Sequence, residues 1–255
     1  MKVALIQSSL FWENPIANRT HFEEKINGID GDIDLIVLPE MFATGFTMKP
    51  KQVAETMQGE TVLWLQSLAK AKNTAITGSL VIKENDSFYN RLLFVFPSGE
   101  IQFYDKRHLF TLAGENEVYT AGRNKLIVEY KGWKICPLIC YDLRFPVFAR
   151  NTEEYDVLIY VANWPSVRIN AWDALLKARA IENVCYTVGV NRIGEDDNKF
   201  EHNGHSQVVN FLGDYILEPL EDVKGVFIVE LNKAELLLAR KKFSFLNDQD
   251  SFVLK

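Results

Sequence analysis

The chain has 255 residues, 28 Lys and Arg against 34 Asp and Glu, a formal net charge of −6 and 47% hydrophobic residues. That length suits one large α/β domain, which buries enough surface to fold without disulfides or a structural metal. The acidic balance, with a pI near 5.4, excludes nucleic acid as a principal partner, because phosphate neutralisation requires a basic face.

The N-terminal MKVALIQSSL is a short apolar run ended by Phe11-Trp12-Glu13. It lacks the longer apolar stretch and small-residue cleavage site of a signal peptide, and no run reaches membrane-spanning length. A cytoplasmic protein with no membrane partner is expected, with Cys136, Cys140 and Cys185 as free thiols. Residues 2–7 predict a strand. Asn14-Pro15 supplies an N-cap and a first-turn proline for a helix running to about Ile29. The continuous apolar run over 34–39 predicts a strand buried on both faces, and Val62, Leu65, Leu68 and Ala69 mark a helix over 61–73. Residues 74–84, 87–97 and 100–106 are β-rich runs separated by Asn85-Asp86 and Ser98-Gly99, as in hairpins. Strands follow over 125–130, 133–140 and 156–162, then a helix at about 169–182. Strands over 184–191, 206–212 and 225–231 precede a last helix at about 233–241. No linker or repeat divides the chain, so a single domain over 1–255 is expected. Its mixture of buried runs, hairpins and helices predicts a layered α/β sandwich rather than a plain doubly wound sheet.

Three reactive side chains stand at the ends of apolar strands: Glu40 after DLIVLP, Lys106 after QFYD and Cys140 after WKICPLI. Sites of α/β folds gather at the carboxyl ends of strands, so the three can converge. Cys140 sits at a strand-to-turn junction with Tyr141, Asp142 and Arg144 following, whereas Cys136 and Cys185 are expected to be inert core thiols. A free thiol is largely protonated at neutral pH and needs a base, a cation or both. No histidine stands in a cysteine-protease signature. Glu40 is the better base, and Lys106 supplies a cation that favours thiolate and can hold a developing oxyanion; each could equally be an ordinary loop charge. Asp30–Asp34 fails as a calcium loop at its sixth and twelfth positions. His202 and His205 lack a third ligand and are expected to be solvated. Arg179 and Glu182 are spaced for a structural ion pair.

LPEMFATGF, YDKRHLF and ICYDLRFP, in that order, resemble the three signatures of the nitrilase superfamily of carbon–nitrogen hydrolases. AGENEVYTAG, VANWP, LLKARAIEN, GVNRIG and GHSQVVNFLGD match as well, so the resemblance spans nearly the whole chain. It implies a four-layer α-β-β-α sandwich, a homodimer, a small-molecule amide substrate, no metal or organic cofactor, and a Glu-Lys-Cys triad at Glu40, Lys106 and Cys140. It also implies a second glutamate after the lysine, for which Glu115 fits, with Glu117 as the alternative. Attack by Cys140 would give a thioester, its oxyanion held by Lys106 and the Tyr141 N–H. Within the superfamily the motifs are most similar to those of bacterial omega-amidases, which cleave the terminal amide of 2-oxo acids such as 2-oxoglutaramate. Other amidase, carbamoylase and nitrile-hydrolysing specificities share the triad; a non-catalytic scaffold member would not need it. For such a substrate, Arg144 and Arg168 are candidates to meet the far carboxylate, with Phe42, Phe46 and Trp164 as walls. The alternatives are a structural ion pair for Arg144 and a solvated helix start for Arg168.

Overall fold

A computed structural model describes residues 1–254. In chain order it contains β1 (Lys2–Gln7), α1 (Pro15–Asn27), β2 (Leu35–Val37), α2 (Pro50–Val53), α3 (Glu60–Lys72), β3 (Ala75–Glu84), β4 (Ser87–Val95) and β5 (Ile101–Asp105). It continues with α4 (Glu115–Val118), β6 (Val128–Tyr130), β7 (Trp133–Ile139), α5 (Pro146–Ala149), β8 (Val157–Ala162), α6 (Ile169–Asn183) and β9 (Tyr186–Asn191). β10 (Gly204–Val209), β11 (Tyr215–Glu221), β12 (Gly225–Glu230) and α7 (Lys233–Lys242) complete it.

Two six-stranded sheets form, in the orders β12-β1-β2-β3-β4-β5 and β11-β10-β9-β8-β7-β6. The apolar runs explain the layering. Along β1, Val3 and Leu5 join Leu138, Val188 and Val190 of the other sheet in one core. Ala4 and Ile6 face the opposite way, into a second core with Phe22 and Ile26 of α1 and Val62, Leu65 and Ala69 of α3. A strand with period-two side chains and apolar residues on both faces must be covered twice, by a sheet and by helices. On the other side Trp172 and Leu176 of α6 lie against β9 so closely that a Cβ on Gly189 would come 2.5 Å from Leu176. The result is the four-layer α-β-β-α sandwich.

The start of α1 is where Asn14-Pro15 places it, with Asn14 Oδ1 accepting from the Ala17 N–H at 3.0 Å. β11 was not foreseen, because Pro219 interrupts its pattern. It forms an edge of its sheet, where a missing N–H is tolerated. β1, β2 and β3 are mutually parallel, as are β7, β8 and β9. β5 runs with β3, since both are antiparallel to β4. The turns after β2, β5, β7 and β8 therefore open at the ends of strands that can share one site.

Candidate active site

The turn after β2 reverses sharply at Met41 (φ 43°), leaving the preceding Glu40 fully buried. Its Oε1 accepts from Lys106 Nζ at 2.9 Å and from Asn90 Nδ2 at 2.8 Å. Its Oε2 accepts from the Asn163 N–H at 2.9 Å, and its main-chain oxygen from Asn163 Nδ2 at 2.6 Å. Lys106, which follows β5, donates also to Glu115 Oε1 and Oε2 at 3.1 and 2.9 Å. Glu115 begins α4 and is fully buried, while Glu117 faces solvent. Thus Glu115 is the second carboxylate of the cluster. The Phe110 N–H holds its Oε2 at 2.6 Å.

Burial opposes the charge on Lys106, but Glu115 and then Glu40 outweigh it and hold the ammonium above its ordinary range. Burial pushes the Glu115 carboxyl up, with Lys106 pulling against it. The three groups form one desolvated ion cluster, whose lone pairs Asn90 and Asn163 help satisfy.

Cys140 closes β7 and lies in the left-handed region (φ 42°), leading into a 3₁₀ turn over Cys140–Arg144. A non-glycine residue held there is strained, as in nucleophile elbows. Arg179 steadies this turn through a 2.6 Å hydrogen bond to the Leu143 oxygen, besides its ion pair with Glu182 at 3.0 Å. Cys140 is partly exposed; Cys136 and Cys185 are buried. The expected pull of Lys106 towards thiolate is present but opposed. Burial and then the Glu40 carboxylate push the thiol well up, against the pull of Lys106.

Glu40, Lys106 and Cys140 line a cavity of about 280 Å³, near the small end for ligand sites. Tyr141, Phe46, Arg144, Trp164 and Arg168 line it too. Arg144 lies 4.9 Å from the Trp164 ring and Arg168 5.3 Å from the Phe110 ring. Among the described residues neither guanidinium has a carboxylate partner, so the structural ion pair considered for Arg144 is absent. Burial, reinforced by the like charge of Arg144, holds Arg168 below the ordinary arginine range, with Cys140 pulling the other way.

Phe42 does not belong to this wall. It is fully buried on the helical side, 5.5 Å from Phe22 and 6.2 Å from Trp64, because the reversal at Met41 turns it away. The histidines are corrected too. His202 is buried against Gly194, and burial and Arg192 push its pKa down to about 4. His205 pairs with Asp173 at 2.9 Å. Asn90 and Asn163 were missed as site residues. Asn90 left one signal, a poor strand former inside an apolar run, which must find a partner when buried.

A family model described as carbon-nitrogen hydrolase matches residues 2–241. The chain belongs to the carbon–nitrogen hydrolase family. It is a nitrilase-superfamily amidase, a hydrolase of carbon–nitrogen bonds other than peptide bonds. It is 44% identical to the omega-amidase YafV of Escherichia coli K12, over 100% of this chain and 98% of that one. It is 31% identical to the 2-oxoglutaramate amidase of Bacillus subtilis, over 96% of both. Its structure resembles that of XC1258 from Xanthomonas campestris, a CN-hydrolase superfamily protein with an arsenic adduct in the active site. The TM-score is 0.97, with 42% identity over 100% and 99% of the two chains.

Proposed function

We propose that the protein hydrolyses the terminal amide of small 2-oxo acid monoamides, 2-oxoglutaramate or a close analogue, through a thioester on Cys140. The observation that carries this is one small cavity with the Glu40–Lys106–Glu115 cluster beside Cys140 and two guanidiniums without carboxylate partners. A 2-oxo dicarboxylic monoamide has the matching ends, an amide for the sulfur and a carboxylate for a cation. The similarity to omega-amidase and 2-oxoglutaramate amidase supports the same reading.

Glu40 takes the thiol proton as the Cys140 sulfur attacks the amide carbon. The oxyanion is held by Lys106 and the Tyr141 N–H, one such donor being worth ~3–4 kcal/mol. An ammonium has only three N–H groups, so a bond to the oxyanion draws one from the pair now shared with Glu115. Glu115 keeps Lys106 cationic and aimed. Glu40 then gives its proton to departing ammonia, later takes one from the water that cleaves the thioester and passes it to the departing Cys140 sulfur, so the enzyme returns unchanged. Arg144 and Arg168 meet the far carboxylate between the walls of Phe46 and Trp164.

The test is a panel of 2-oxoglutaramate, 2-oxosuccinamate, aliphatic amides, N-carbamoyl amino acids and nitriles. The 2-oxo monoamides should give the highest kcat/KM; a nitrile or carbamoyl substrate in first place would overturn the specificity. The reading also includes a single domain over 1–255 and a cytoplasmic setting, consistent with three free thiols. Among the described residues no helix is long and apolar enough to cross a membrane. A homodimer paired through helices is part of it, supported by exposed Val147 on α5 and Ile181 on α6. A monomer by light scattering at micromolar concentration would contradict that.

A further inference from the structure

Lys106 and Cys140 are carried by turns on different sheets, so their relation depends on what ties those turns together. One buried carboxylate does so. Asp142 is fully buried and lines no part of the cavity. Its Oδ2 accepts from the N–H of Ile139, the residue before the nucleophile, at 3.0 Å, and from the Tyr104 hydroxyl at 2.8 Å. Its Oδ1 accepts from the His108 N–H at 3.1 Å and meets His108 Nδ1 at 2.7 Å. Tyr104 in turn accepts from the Arg107 N–H at 3.0 Å. The His108 ring stacks on Phe145, just past the nucleophile turn, at 3.8 Å and an interplanar angle of 4°.

Four contacts therefore converge on Asp142. Three come from the segment carrying Lys106 and one from the end of the strand carrying Cys140. Only an ionised carboxylate accepts all four; an amide must turn its NH₂ towards two of them. With the His108 proton placed on Nδ1 to suit this network, no donor is left over.

We propose that Asp142 is a positioning residue for the hydrolysis, its carboxylate fastening the Lys106 turn to the Cys140 turn and fixing ammonium and sulfur relative to each other. The proposal rests on the thioester reading above. The strained backbone at Cys140 gives the tether its importance, since a left-handed cysteine relaxes unless the surroundings hold it. Asp142 never touches substrate, so its loss acts on the chemical step and spares binding.

Asp142→Asn keeps the side-chain volume but sets the NH₂ against at least one main-chain donor. Its kcat on 2-oxoglutaramate should fall on the order of 10²-fold, as misplacement by an ångström does. KM should stay within about twofold. Alkylation of Cys140 by iodoacetamide, which needs neither arginine, should slow as well. Tyr104→Phe removes one of the four contacts and should lower kcat several-fold at constant KM; it serves as the readout if Asp142→Asn does not fold. Wild-type kcat in the folded variants, whatever their Tm, or a loss confined to KM, would overturn the tether. Ammonia release by Cys140→Ala would instead overturn the thioester reading on which it rests.

Discussion

At the sulfur end of the cavity the charges are paired inside the protein, while at the far end two guanidiniums wait without carboxylates. Glu40, Lys106 and Glu115 are essentially inaccessible to solvent and hydrogen-bonded to one another and to Asn90 and Asn163. Arg144 is exposed and Arg168 half-buried, and each leans on an aromatic ring. The difference follows from what each end must do. A reacting centre works best when its dipoles need no rearrangement during the reaction. A recognition site that paired its cations internally would have to break those pairs before binding an anion. On the proposed reading, the closed end governs kcat and the open end governs which amide is chosen.

The sharpest way to break this contrast is to damage the closed end. Glu40→Gln and Lys106→Ala should each lower kcat on the order of 10²–10³-fold or more, with circular dichroism unchanged. Near-normal ammonia release from either would remove that residue from the chemistry. A smaller effect, on the order of 10²-fold in kcat, is expected for Gly122→Ala. The Gly122 N–H donates to the Lys106 oxygen at 2.9 Å, and a Cβ there would stand 2.0 Å from the Asp105 oxygen. No rotamer relieves a clash with backbone, so the lysine turn must move; unchanged kcat would show that it need not.

At the open end, Arg144→Met and Arg168→Met test the far carboxylate. Losing a charge-assisted hydrogen bond costs ~1.5–3 kcal/mol, roughly ten- to a hundredfold in kcat/KM for the 2-oxo monoamide. An uncharged aliphatic amide should lose far less; equal losses would deny the arginines any role in choosing substrate. Phe42→Leu should do least. It should cost about 1–1.5 kcal/mol of stability by denaturant titration and leave the ratio of kcat/KM between the two amides alone. A changed ratio would return Phe42 to the cavity wall.

How much of this was legible in the chain varies with the kind of contact. Strands and helices follow from periods of two and three to four, and a charge standing where an apolar run stops marks a strand end, as for Glu40, Lys106 and Cys140. Asn90 and Asn163 were not legible as partners of Glu40, because those contacts span 50 and 123 residues. The misplacement of Phe42 has a local cause. Phe42 lies two residues from Glu40, but the left-handed turn at Met41 sends the two side chains apart. Glu115 and Glu117 differ by two positions on one short helix, and only packing decides which faces inward. The upward push on the Cys140 thiol comes from burial and Glu40 acting against Lys106, a balance that a neighbouring cation alone could not reveal.

The most direct test of the thioester is to quench wild-type enzyme in acid during steady-state turnover of 2-oxoglutaramate and map its peptides by mass. The account predicts a 2-oxoglutaryl group that fragment ions place on Cys140, absent from Cys136 and Cys185 and lost when substrate is exhausted. Undiminished turnover by Cys140→Ala, or an acyl group on another residue, would contradict it.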